Sequence, residues 1–316
     1  MFDNASPDMT FMRKLNLVFR FSYTLPFVLS SVVGLVMALG CGAPAYVYIC
    51  IPLSVMFLGV FVNFSNDYFD HGSGIDTARF EKAKDSIQGT DEVLQKLYWD
   101  GNQFDNGNVS VKEGQRLMVL IVALAIICAL PVILYKPVLT IIFGAIGLFC
   151  AYFYTAPPIN FGGRGLGEAL VTVSFFMLCF CPYYLLTETF STEVVLVALI
   201  VAITVGLMRA VDSMTAQEVH IEIGEKSIAT MFGMDTVAKL VKVVIVAAYA
   251  IAVVLAVMFS PVYLVEFLTL PIAVKAWKTV TVKEPKWEFT AAPETFGLAV
   301  FSQIMMIIAA AVLYFI

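Results

Sequence analysis

Hydrophobic positions in this chain come in long blocks, not in the alternation of a half-buried strand. Apolar runs occupy residues 17–39, 46–69, 114–134, 138–154, 166–186, 194–211, 237–259, 261–275 and 295–316. A helix rises about 1.5 Å per residue, so crossing the hydrocarbon of a bilayer takes roughly 20 apolar residues. The blocks therefore predict an all-α polytopic membrane protein with about nine transmembrane helices in a single domain, residues 1–316. The block at 261–275 is the shortest and the least able to span unaided. Basic residues gather in alternate connections, and the other connections are short and almost uncharged.

Composition agrees with the blocks. Of 316 residues, 60% are hydrophobic and 14% charged, which excludes a soluble domain and makes the lipid bilayer the first partner. The formal net charge of −5 says little about other partners because the charges cluster in loops, and no nucleic-acid partner is expected. Six cysteines lie in or beside apolar segments without a C-x-x-C pair, so they read as buried thiols with no disulfide framework. With only His71 and His220, a histidine-rich metal site is excluded. The first residues, M-F-D-N-A-S-P-D, have no basic stretch or cleavage site, so no removed signal peptide is expected.

The charges also orient the chain. With nine spans and a cytoplasmic N-terminus, the even-numbered loops and the N-terminal arm share one side of the membrane. Of the 19 Lys and Arg, Lys136 alone falls on the other side, a bias that matches the positive-inside rule. The active-site loops are then cytoplasmic and the C-terminus external.

Three of those cytoplasmic connections carry chemistry. The second apolar block ends in N-D-Y-F-D-H-G-S-G-I-D, from Asn66 to Asp76. On a helix, Asn63, Asn66, Asp67 and Asp70 fall within about a third of the circumference. Gly72 and Gly74 are expected to end the helix and let the backbone bring Asp76 back to the same place. Carboxylates at a helix C-terminus oppose the macrodipole, and ionised groups at the edge of hydrocarbon are costly. A stripe of Asp and Asn oxygens there is best explained by a hard cation, Mg²⁺ before Ca²⁺, sharing its shell with a substrate phosphate. A solvated polar helix end is the plainer alternative.

The loop that follows, 71–113, is long enough to form a cytoplasmic cap, with a short helix capped at Thr90. Its Arg79, Lys82 and Lys84 come soon after the acidic cluster, as a diphosphate clamp requires, although ordinary positive-inside charges would look the same. The next loop, Y-F-Y-T-A-P-P-I-N-F-G-G-R-G-L-G-E, is a tightly turned segment that carries Tyr154, Arg164 and Glu168 to the membrane edge. The third runs from Met208 to Thr230 and crowds Arg209, Asp212, Glu218, His220, Glu222, Glu225 and Lys226 at the end of an apolar block. Two acidic helix ends on one side of a bundle suggest two metal sites around one diphosphate.

Together these segments resemble the UbiA superfamily of intramembrane prenyltransferases nearly end to end. The likeness is carried by R-F-S-Y-T-L-P-F-V-L-S-S-V-V-G, by the N-D-x-x-D of Asn66, Asp67 and Asp70, and by Y-T-A-P-P…G-L-G-E. The G-x-D form ending at Asp76 resembles the naphthoate prenyltransferase (MenA-like) branch. The resemblance implies nine helices around a central cavity capped by cytoplasmic loops, Mg²⁺, and a polyprenyl diphosphate such as geranyl or geranylgeranyl diphosphate. It also implies two Asp at positions that here hold Ala216 and His220, counted back from Gly224.

The mechanism expected from both lines is electrophilic prenyl transfer to a small aromatic acceptor, in quinone-type biosynthesis. Asp70, Asp76 and Asp212 are the catalytic carboxylates. Asn66, Asp67, Asp70 and Asp76 would hold one Mg²⁺, and Asp212 with Glu218 or Glu222 another. A regular helix puts Glu222 about 80° from Asp212 and Glu218 about 120° away, so Glu222 is favoured unless the helix breaks. Arg79, Lys82, Lys84, Tyr154, Arg164 and Lys226 are the candidate diphosphate contacts, and His220 would hydrogen-bond the diphosphate or a nearby carboxylate. The same chemistry on a glycerol phosphate ether is the nearer alternative, and an ion-coupled transporter the more distant one. A transporter would place its acids near the midplane in repeated halves, and neither pattern is visible.

Overall fold

The computed structural model describes residues 18–78, 102–215, 217–281 and 287–316. Among them the helices are α1 (Phe21–Met37), α2 (Ala45–Ser73), α3 (Val111–Tyr135), α4 (Pro137–Phe153), α5 (Gly167–Thr187) and α6 (Thr192–Thr215). After two short helices, α7 (Gln217–Ile223) and α8 (Ile228–Phe232), come α9 (Met234–Met258), a 3₁₀ segment (Pro261–Thr269), α10 (Leu270–Thr279) and α11 (Trp287–Phe315). Six of these helices are long and apolar enough to cross a membrane, and the shorter apolar stretches Tyr23–Met37 and Pro137–Phe153 accompany them.

The predicted eighth span is not one regular helix. Its first half is wound as the 3₁₀ segment, and an α-helix begins only at Leu270, with Pro271 in its first turn. Proline lacks the N–H that a continuing ladder needs, but in a first turn that donor has no partner to lose.

Helix α6 is the hub. Val197, Ala198, Ile200 and Val201 are fully buried, and the helix is packed by α5, α9 and α11. Small residues set the closest approaches. At Gly34 a Cβ would lie 1.9 Å from the carbonyl oxygen of Cys179, so α1 lies directly on the backbone of α5. On the outside of α3 and α4, Leu134, Val138, Ile142 and Phe149 are exposed, a surface that lipid satisfies. All six cysteines are free, but only Cys179 and Cys181 are buried, and Cys41 is exposed at the far end of α1.

One end of the bundle collects the polar connections. There Arg20 reaches Asp67, Ile228 N–H donates to Glu168 Oε1 at 3.3 Å, and Lys275 pairs with Glu294 at 3.0 Å. Ser110 caps α3 in a reciprocal box with Glu113, and Ser227 caps α8 in the same way with Thr230.

Candidate active site

The polar end opens into a cavity of about 730 Å³ lined by α1 to α6 and the connections that cap them. Its mouth is built from two walls. The first is the end of α2. Asn63, Asn66 and Asp70, at helical spacing, all line the cavity. The helix runs on to Ser73 and is ended by Gly74, whose φ of 76° is a left-handed conformation that costs glycine little. Gly72 stays within the helix, so Gly74 alone makes the turn. The reversal brings Asp76 back to the same wall, 8% exposed and lining the cavity.

The second wall comes from α6 and the two Gly-rich connections. Asp212 and Arg209, one helical turn apart, form an ion pair, and the guanidinium lies over the Tyr154 ring at 5.9 Å from its centroid. Beyond α7, Gly224 at φ 78° turns the chain, and Glu225 enters the cavity wall beside buried His220. Asn160 Nδ2 donates to Glu225 Oε1 at 3.1 Å, and Gly163 N–H donates to Asn160 Oδ1 at 3.0 Å. His220 Nδ1 lies 3.9 Å from Glu225 Oε2. Across the mouth, Asp70 feels Asp76, Asp67 and Glu225 as like charges and Arg209 as an opposite one.

Behind the mouth the cavity is apolar. From Asp70 back to Ile51, both on its wall, α2 extends about 28 Å at 1.5 Å per residue. Phe27, Phe61, Phe143 and Phe175 line this shaft with aliphatic residues of α3, α4 and α5. An acidic, hydrogen-bonding mouth over a long apolar shaft suits an amphiphile with a charged head and a hydrocarbon tail.

Residues 104–292 match the UbiA prenyltransferase family, more than half of the chain. The chain belongs to the UbiA prenyltransferase family. Solved UbiA-type structures share its fold from end to end. A UbiA homolog from Archaeoglobus fulgidus bound to GPP and Mg²⁺ superposes with a TM-score of 0.63 at 16% identity, covering 93% of this chain and 99% of that one. The apo UbiA homolog from Aeropyrum pernix K1 gives 0.61 at 15% identity, over 95% and 99% of the two chains. A digeranylgeranylglyceryl phosphate synthase gives 0.61 at 10% identity, over 95% and 98%. No curated protein sequence matches the chain.

Within this UbiA fold the expected residues divide. Asn66, Asp70, Asp76, Tyr154, Asp212 and His220 are brought together on the cavity wall. Asp67 is not with them. One residue from Asn66 on a helix is about 100° of rotation, and Asp67 is buried against Arg20, 3.0 Å from its guanidinium. Glu218 and Glu222 are exposed on α7 and do not line the cavity. The expectation for them took the second-wall acid from the helical run after Asp212, whereas the Gly224 turn that follows α7 delivers Glu225 instead. Arg164 and Lys226 are also exposed. Their backbones form a parallel bridge, and the Arg164 guanidinium donates to the Pro158 carbonyl at 2.7 Å. Arg79, Lys82, Lys84 and the Thr90 cap lie outside the described residues.

Three participants were not assigned from sequence. Arg209 and Asn160 line the cavity, and Arg209 Nε is buried without a hydrogen-bond partner. Glu225 was visible only as one acid in a crowded loop, although Gly224 before it was the available signal for a turn.

The donor set fits a hard cation. Asn66 Oδ1 is buried with no hydrogen-bond partner on the wall that also carries Asp70 and Asp76. Among the described residues no three His, Cys, Asp or Glu side chains close into a cage. An open set of oxygens is what Mg²⁺ uses when water and a substrate phosphate complete its shell.

Proposed function

We propose that this UbiA-family chain transfers a polyprenyl group from a prenyl diphosphate to an aromatic acceptor, as in quinone-type biosynthesis, with Mg²⁺ as cofactor. The observation that carries the reading is one cavity with Asn66, Asp70 and Asp76 at its mouth and an apolar shaft behind them, the whole extending about 28 Å along α2. The diphosphate would sit at the mouth and the isoprenoid tail in the shaft. The Lys and Arg distribution supports a cytoplasmic mouth and an external C-terminus.

Asn66, Asp70 and Asp76 would hold Mg²⁺, which supplies positive charge to a departing diphosphate. Arg209 is the cation of the described mouth best placed to help. Its buried Nε–H has no partner, and Asp212 and the Tyr154 ring fix the direction of its fork. Glu225, held by Asn160, takes the place on the second wall that the sequence pattern assigned to Glu218 or Glu222. When the bond from prenyl C1 to the diphosphate oxygen breaks, the negative faces of Phe27, Phe61 and Phe175 can shield the allylic cation. The apolar shaft keeps water from trapping it before the acceptor does.

Charge supports an aromatic acceptor over a phosphate ether. The described mouth carries Asp70, Asp76, Asp212 and Glu225 against Arg209, and Arg209 is already paired. A second phosphate beside the diphosphate would need more positive charge than an aromatic ring with one carboxylate. The G-x-D spacing at Asp76 points to the same branch. The test offers purified protein radiolabelled geranylgeranyl diphosphate and Mg²⁺ with a dihydroxynaphthoate, a hydroxybenzoate or a glycerol phosphate ether. Prenylation of an aromatic acceptor is expected, and a labelled product with the phosphate ether alone would overturn the assignment.

A further inference from the structure

Asn102 stands where the long 71–113 connection returns to the bundle, and it is fully buried. Its Oδ1 accepts the Phe104 N–H at 2.9 Å, which fixes the orientation of the amide. Both Nδ2 hydrogens then point at the first motif, one to the Asp67 carbonyl at 2.6 Å and one to Asp76 Oδ2 at 2.8 Å. Asp76 Oδ1 takes no hydrogen bond among the described residues, so it is the oxygen left for the cavity.

The next residues reinforce the grip. The Phe104 ring packs on Phe64 and Tyr68 at centroid distances of 5.4 and 5.5 Å. It also fills the space over Gly114, where a Cβ would come within 2.5 Å of it. Asp105 pairs with His71 before the Gly74 turn and accepts from Thr77 Oγ1 after it at 2.9 Å. Residues 102–105 thus clasp both sides of the reversal that returns Asp76 to Asp70.

We propose that Asn102 is a positioning residue for the acidic mouth, holding Asp76 so that one carboxylate oxygen is presented to the cation and the other is neutralised by an amide. It does not line the cavity, so it acts only through Asp76. This rests on the reading of Asn66, Asp70 and Asp76 as a cation site. Partners that orient a metal ligand in this way typically change affinity by about 10- to 100-fold when removed.

The test uses full-length protein in detergent with Mn²⁺ in place of Mg²⁺. Free Mn²⁺ is followed by electron paramagnetic resonance in the presence of an unreactive prenyl thiodiphosphate. Asn102→Ala is expected to weaken Mn²⁺ binding by about 10- to 100-fold per folded molecule, with the folded fraction taken from its unfolding curve. Asn102→Asp keeps the volume and serves where the alanine variant does not fold. The double variant Asn102→Asp/Asp76→Asn restores the bond between positions 102 and 76 with donor and acceptor exchanged but not the donor to the Asp67 carbonyl, and is expected to recover part of the thermal stability and none of the Mn²⁺ affinity. Binding within about threefold of wild type in either single variant, or recovered affinity in the double variant, overturns the proposal. Asp70→Asn separates the two levels. If it too leaves Mn²⁺ binding unchanged, the cation reading fails, not the role of Asn102.

Discussion

Gly163→Ala offers a sharp test of the second wall. A Cβ at this position would lie 2.5 Å from Glu225 Oε1 and 2.6 Å from Asn160 Nδ2, whereas ordinary van der Waals contact begins near 3.4 Å. Both atoms must retreat by nearly 1 Å, and the 3.1 Å hydrogen bond between them cannot survive that movement unchanged. Losing a hydrogen bond to a charged group is worth about 1.5–3 kcal/mol. A displacement of about 1 Å in a catalytic group can itself cost on the order of 100-fold in rate. The obstructing atoms are tips of flexible side chains and Gly163 has no left-handed φ, so the fold itself should accept the methyl group. Turnover under saturating substrates should therefore fall by roughly 10- to 100-fold, while the thermal midpoint in detergent moves by only a few degrees. Turnover within twofold of wild type, at unchanged stability, would refute the account of Glu225 as a fixed part of the mouth.

Other substitutions separate site from scaffold. Asp70→Ala should abolish turnover with near-normal stability, because the residue lines the mouth and is proposed to hold a metal, and more than roughly a tenth of wild-type turnover would count against that role. Glu225→Gln should lose far more Mg²⁺-dependent activity than Glu218→Gln or Glu222→Gln, whose parent residues are exposed on α7; equal losses in a Mg²⁺ titration would return the role to α7. Gly34→Ala should instead act on stability. Its Cβ would strike the Cys179 carbonyl, a backbone atom that can move only with α5, and overpacking of this kind costs about 1–3 kcal/mol. An unchanged thermal midpoint for that variant would show that α1 and α5 are not in the contact described.

What was legible in the sequence followed from periodicity. The apolar blocks anticipated the membrane helices, and three- and four-residue spacing put Asn63, Asn66 and Asp70 on one face. Spacing failed where tertiary partners decide. Asp67 sits in the same motif, yet its direction is set by Arg20 on another segment. Glu222 had the better helical register, but a left-handed Gly224 changed the path of the chain and made Glu225 the inward acid. Arg164 and Lys226 had the right charge in the right loops, and their backbone bridge is compatible with side chains that stay exposed. Asn102 had no signal at all, since one asparagine in a polar connection has no period to betray it.

The central claim is most directly tested by a structure of the protein with Mn²⁺ and an unreactive prenyl thiodiphosphate, with the metal located by anomalous scattering. The account predicts metal density against Asn66, Asp70 and Asp76, the diphosphate between them and Arg209, and the tail in the shaft past Phe27 and Phe175. Metal bound away from those three residues, or a tail lying on the outer face of α3 and α4, would contradict it.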